Sequence, residues 1–176
     1  MAVLVEATSV IVRIDILEEK YPGGFEDYKR DCPNSTFCAD EYLTRVGFMN
    51  PRDVKIFVDQ LEEYGLFPDD GEKFVDLAVA DQLNGPNAPC DWLGFAWVPD
   101  GPACTFLIGT HPGNIAVPNG WDFENSLSKT PAFIRTDDAD EKIKYVEEVS
   151  TGVRSFVDTN TGQKLYSGSP FSKKLN

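Results

Sequence analysis

With 176 residues, 41% of them hydrophobic and 12% aromatic, the chain is the size of one domain and has enough apolar material to close a core without a metal or a disulfide. Its 29 acidic against 16 basic side chains leave a net charge of −13, which repels a phosphate backbone: direct nucleic-acid binding is not expected, and a basic protein is the partner the charge favours. No apolar run reaches the roughly 18–20 residues a bilayer span needs, and no basic segment precedes the short apolar run at residues 1–5, so no membrane association is expected and a cytoplasmic location is.

Residues 3–13 are rich in β-branched side chains and read as one strand. Asp15 then caps a short helix over residues 16–21, stopped by Pro22-Gly23-Gly24, and a second short helix follows over residues 25–31. Cys32-Pro33-Asn34-Ser35 is a turn, and residues 36–39 and 43–49 pair as a hairpin around Asp40-Glu41. The strongest element is a helix over residues 51–64. Asn50 offers the N-cap acceptor, Pro51 at the first position loses no hydrogen bond, and Asp53 sits where an acid suits the helix dipole. Val54, Phe57, Val58, Leu61 and Tyr64 form one apolar stripe, and Gly65 ends the helix.

Beyond this helix, residues 73–80, 91–98 and 104–110 read as strands, each bounded by turn-forming residues. Residues 142–149, 153–158 and 163–166, separated by turns at Gly152 and Gly162, read as a three-stranded meander. No internal repeat or linker divides the chain, so residues 1–176 are read as a single α+β domain: a mainly antiparallel sheet, one well-defined amphipathic helix, short helices near the N-terminus and a C-terminal meander.

The acidic charge is concentrated in the first hundred residues, which hold 20 Asp/Glu and 8 Lys/Arg. On the helix over 51–64 the face opposite the apolar stripe carries Asp59, Glu62 and Glu63. A second candidate surface is the loop and strand from Asp81 to Trp97, where Asp81, Gln82, Cys90, Asp91 and Trp92 stand on a polar loop leading into a strand. The leading expectation is a non-catalytic interaction domain in which Asp59, Glu62, Glu63, Asp81, Gln82 and Trp92 contribute to binding a basic protein. In size, charge and α+β content the chain resembles small acidic inhibitors such as the immunity proteins of toxin systems; this resemblance of composition carries no residues across.

Two other classes stay open. A small hydrolase or transferase would use Cys90 as nucleophile and His111 as base, oriented by Asp91 or Asp81, since His111 is the only histidine. A small-ligand module would bind against Trp92, Trp97 or Trp121. There is no phosphate-binding glycine loop, no dinucleotide fingerprint, no G-x-S-x-G and no H-E-x-x-H, and the spacing of Cys32, Cys38, Cys90 and Cys104 does not suit zinc. No cofactor or metal is expected, and the four cysteines are expected as free thiols. Oligomeric state is left open.

Overall fold

In the computed structural model, which describes residues 1–129 together with 143–150, 153–158 and 164–168, the β-branched run near the N-terminus forms two strands rather than one, β1 (Ala2–Val5) and β2 (Thr8–Arg13). The break falls at Glu6-Ala7, where Ala7 takes a φ of 51°. That left-handed conformation costs a non-glycine residue roughly 1–2 kcal/mol, and it lets the chain leave one sheet and enter another. β1 lies inside a four-stranded sheet and β2 at the centre of a five-stranded one.

After β2 come α1 (Ile14–Lys20) and α2 (Gly24–Asp31). The N-cap of α1 is Arg13 and not Asp15, because the Asp15 carboxylate is occupied by the Arg13 guanidinium at 2.6 Å and the Ile16 N–H at 2.8 Å. The hairpin forms as expected from β3 (Cys38–Ala39) and β4 (Leu43–Phe48), and Asp40 Oδ1 holds its turn by accepting from the N–H groups of Tyr42 and Leu43. α3 (Pro51–Glu63) begins at Asn50, whose side chain accepts from the Arg52 N–H at 2.9 Å. Its stripe is buried at Val54, Phe57, Val58 and Leu61.

β5 (Leu77–Asp81) and β6 (Gly85–Pro86) complete the five-stranded sheet, in the order β3-β4-β2-β5-β6. β7 (Leu93–Trp97), β8 (Ala103–Leu107) and β9 (Ile115–Ala116) join β1 in the order β7-β8-β1-β9; the β1–β9 pair is parallel and the other ladders of the two sheets are antiparallel. β10 (Ile143–Ser150), β11 (Val153–Asp158) and β12 (Lys164–Gly168) form the expected antiparallel meander; Lys142, Gln163 and most of its turn residues lie outside the described residues. The fold is α+β.

Alternation along the strands of the five-stranded sheet gives it two buried faces. Val10, Val12, Val46, Phe48 and Leu77 pack against the helices with Leu17, Tyr28, Phe57 and Leu61. Ile11, Leu43, Ala78 and Ala80 point the other way and pack with Val3, Val5, Leu93 and Ala103 of the four-stranded sheet. The result is three layers, helices over one sheet and that sheet over the other. Among the described residues no helix is long and apolar enough to cross a membrane.

Candidate functional site

At the β1–β2 crossover the two sheets enclose a cluster of polar side chains. Arg45, on the face of β4 that carries Leu43, is 2% exposed; its guanidinium donates to Ser9 Oγ at 2.8 Å and to the carbonyls of Glu6 and Thr36 at 2.8 and 3.0 Å. Burial pulls its pKa down. Gly47 leaves it room, since a β-carbon there would stand 2.3 Å from the guanidinium. The buried Glu6 carboxylate accepts from Trp121 Nε1 at 3.1 Å and from the N–H and hydroxyl of Ser128 at 3.0 and 2.6 Å. Gln82 accepts from the Ala7 N–H at 2.7 Å and donates to the Leu127 carbonyl at 2.9 Å. All these groups are satisfied by one another, so the cluster fixes the crossover and clips residues 121–128 onto it. Gln82, expected on a binding loop, is buried in this cluster.

The face of α3 turned away from the core is charged as expected: Asp59, Glu62 and Glu63 are all exposed. Lys55 pairs with Asp59 at 2.8 Å, and among the described residues Glu62 and Glu63 make no ion pair. Beside this face runs a groove of about 490 Å³, floored by Pro51, Val54, Val58, Phe74 and Val79, with Lys55, Asp81 and Asn87 among its polar lining. Sequence reasoning missed the groove because Val54 and Val58 count equally well as core; only their position at the edge of the stripe, towards Lys55, hints at it. Asp53 is buried in the first turn of α3, and its pKa is raised by burial, against a smaller lowering by Arg52.

The remaining candidates lie apart from the groove, Asp81 excepted. Asp81 shapes the loop after β5 by accepting from the N–H groups of Leu83 and Asn84. Asp91 is exposed and paired with Lys73. Trp92 is half-buried, with the Arg13 guanidinium 5.7 Å from its ring centroid. Cys90 is half-buried, and its pKa is raised by burial in spite of the Trp92 and Leu93 N–H groups directed at its sulfur, so it stays a thiol where a nucleophile would need a thiolate. His111 is exposed, and its carbonyl accepts from the Met1 amino group at 2.9 Å. Among the described residues no hydrogen bond or ion pair joins Cys90, Asp91 and His111 to one another. None of the four cysteines is joined in a disulfide, and no group of metal-binding side chains converges among the described residues.

No family model, no curated protein and no solved structure matches the chain.

Proposed function

We propose that the chain is a non-catalytic interaction domain that binds a basic protein, in the manner of an inhibitor or immunity factor. The observation that carries this reading is the juxtaposition on α3 of an exposed acidic face, with Glu62 and Glu63 free of ion pairs among the described residues, and an apolar groove along its flank. Charge on the rim would steer a cationic partner, and the apolar floor would hold it once docked. The cysteine-enzyme reading stands behind it, because the thiol of Cys90 is pushed away from its reactive form and no hydrogen bond joins it to Asp91 or His111 among the described residues. The small-ligand reading stands behind it too, because Trp92, Trp97 and Trp121 do not line the groove.

The test is kinetic. Basic proteins retained by the immobilised chain from its source cells are measured for association rate at low and high salt, against wild type and the Glu62→Lys/Glu63→Lys double variant. The reversal should slow association on the order of tenfold at low salt and by less at high salt, because the steering charge is screened over about 8 Å at physiological ionic strength. A rate indifferent to both salt and the reversal would remove the acidic face from the account.

A further inference from the structure

The structure assigns a second surface to this partner: we propose that the outer edge of β7 is a docking site for an extended, Lys- or Arg-rich segment, which adds to the four-stranded sheet as a further strand. The inference takes the partner's charge from the reading above, but its docking surface is independent of α3.

The other edges of the two large sheets, β3, β6 and β9, are two residues long, whereas β7 is five residues long and pairs on one side only, with β8. Its hydrogen-bonding parity can be read from its ends. The Ile108 N–H donates to the Trp92 carbonyl, and the Val98 N–H to the Pro102 carbonyl. In an antiparallel ladder alternate residues face the partner strand, so Gly94 and Ala96 face β8, while Leu93, Phe95 and Trp97 present their backbone groups outward. The Leu93 N–H is directed at the Cys90 sulfur. The N–H and carbonyl groups of Phe95 and Trp97 have no partner among the described residues.

Proteins normally protect such an edge with lysine, proline, a bulge or brevity. β7 has none of these: its residues are uncharged, contain no proline and pair with β8 in unbroken register. Residues 74–128 contain no Lys or Arg at all but six acids. The apolar surface is ready-made as well. Trp97 is 57% exposed, Leu83 51% and Val98 40%; the Trp97 indole is held by donating to the Gln82 carbonyl at 3.2 Å and by an edge-on contact with Phe95. A fixed aromatic costs little entropy on binding.

Charge selects the occupant. Asp91 and Asp100 stand at the two ends of the strand, both exposed; Asp91 is paired with Lys73, and Asp100 makes no ion pair among the described residues. A cationic strand would meet the unpaired carboxylate of Asp100 at one end and, at the other, that of Asp91, shared with Lys73. A second copy of this chain would gain no such contact, since β7 carries no cation of its own and the two chains would each bring a net charge of −13.

The probe is a capped heptapeptide of alternating lysine and valine, added to the full chain and followed by amide hydrogen exchange. Exchange at Phe95 and Trp97 should slow on the order of tenfold, with Gly94 and Ala96, already bonded to β8, unchanged. Binding should be lost to the same peptide N-methylated at alternate residues, which keeps the charge but not the donors, and to a glutamate-valine peptide. Trp97→Pro, which deletes an outward N–H at a position where an edge strand tolerates proline, should abolish the protection at Phe95, and Trp97→Val should keep it; if Trp97→Pro does not fold, the wild-type exchange map decides alone. Equal binding of the N-methylated peptide, or protection on α3 in place of β7, would overturn strand docking while leaving the basic-partner reading standing. Equal binding of the glutamate peptide would overturn the charge selection. Absence of binding, or protection of Phe95 and Trp97 that rises with protein concentration without peptide, would overturn the assignment, the latter in favour of a second copy.

Discussion

Towards the helices the five-stranded sheet presents Val10, Val12, Val46, Phe48 and Leu77, while towards the second sheet it presents Ile11, Leu43 and Ala78 together with Ser9 and Arg45, which are just as deeply buried. The helix side is held by area. It depends on volume and shape, and aromatic contacts such as Phe48 with Phe57, 5.2 Å between centroids, add to burial. The sheet side is held in part by directed hydrogen bonds at one crossover, where Ala7 carries backbone strain and Arg45, Gln82 and Glu6 bind the strand ends around it. A face held by area tolerates exchange of one apolar group for another. A face held by bonds does not, because the groups left behind remain polar and buried.

The largest effects should expose that difference. Phe57→Ala, at a fully buried position, should cost roughly 3–5 kcal/mol from lost burial and cavity formation. Arg45→Ala should cost a similar amount, roughly 3–5 kcal/mol, because Ser9 Oγ and the Thr36 carbonyl lose their donor and the Glu6 carbonyl keeps only the Ser9 hydroxyl. Restoring volume separates the two. Phe57→Met should recover to within about 1.5 kcal/mol of wild type, whereas Arg45→Met should stay close to Arg45→Ala. Urea denaturation of the four variants is the measurement, and an Arg45→Met protein as stable as wild type would show that both faces are held by area alone.

The same contrast decides what could be read from the sequence. α3 was legible because its signals are local: Asn50 and Pro51 mark the start, and the spacing of Val54, Phe57, Val58 and Leu61 gives the buried face. The division of residues 3–13 was not, since nothing in Val-Glu-Ala-Thr announces a left-handed alanine; the tertiary bonds of Glu6 and Gln82 override local preference there. Arg45 alternates with Val46 and Phe48 of the helix-facing side, as a solvent-facing residue would, and only the second sheet, distant in sequence, buries it. β7 was legible as a strand but not as an edge, because pairing order is not a local property. Of the candidate site residues, Asp59, Glu62 and Glu63 lie exposed on α3 and Asp81 joins the groove; Cys90, Asp91 and His111 are adjacent to turns or strand ends for reasons of their own, which composition cannot distinguish from catalysis.

A middle-sized effect tests the clip. In Glu6→Gln the amide oxygen can still accept from Trp121 and Ser128, but the bonds lose their charge assistance, so the loss should be about 1–2 kcal/mol. Hydrogen exchange at the Ser128 amide should accelerate more than exchange at the Phe57 amide, which belongs to the helix side. Equal acceleration at both would mean that the carboxylate supports the whole fold and not the crossover alone.

The smallest effect concerns the helix side and turns on a sign. Asp53 lies in the first turn of α3, where the helix dipole favours its anion, yet it is buried, and burial disfavours the anion. Burial wins, so its folded pKa is raised above its unfolded value. A carboxyl with a raised folded pKa contributes stability that is fully present below the unfolded pKa, about 3.9, and is lost as pH rises through the folded value. Asp53→Asn stays neutral throughout. Relative to wild type it should therefore gain stability as pH is raised from below about 3.9 through the folded pKa, and the difference should be constant above that window. Paired denaturation curves across that range measure it directly. If wild type instead gains on Asp53→Asn as pH rises, the dipole outweighs burial at this position, and even the apolar side of the sheet is held in part by charge.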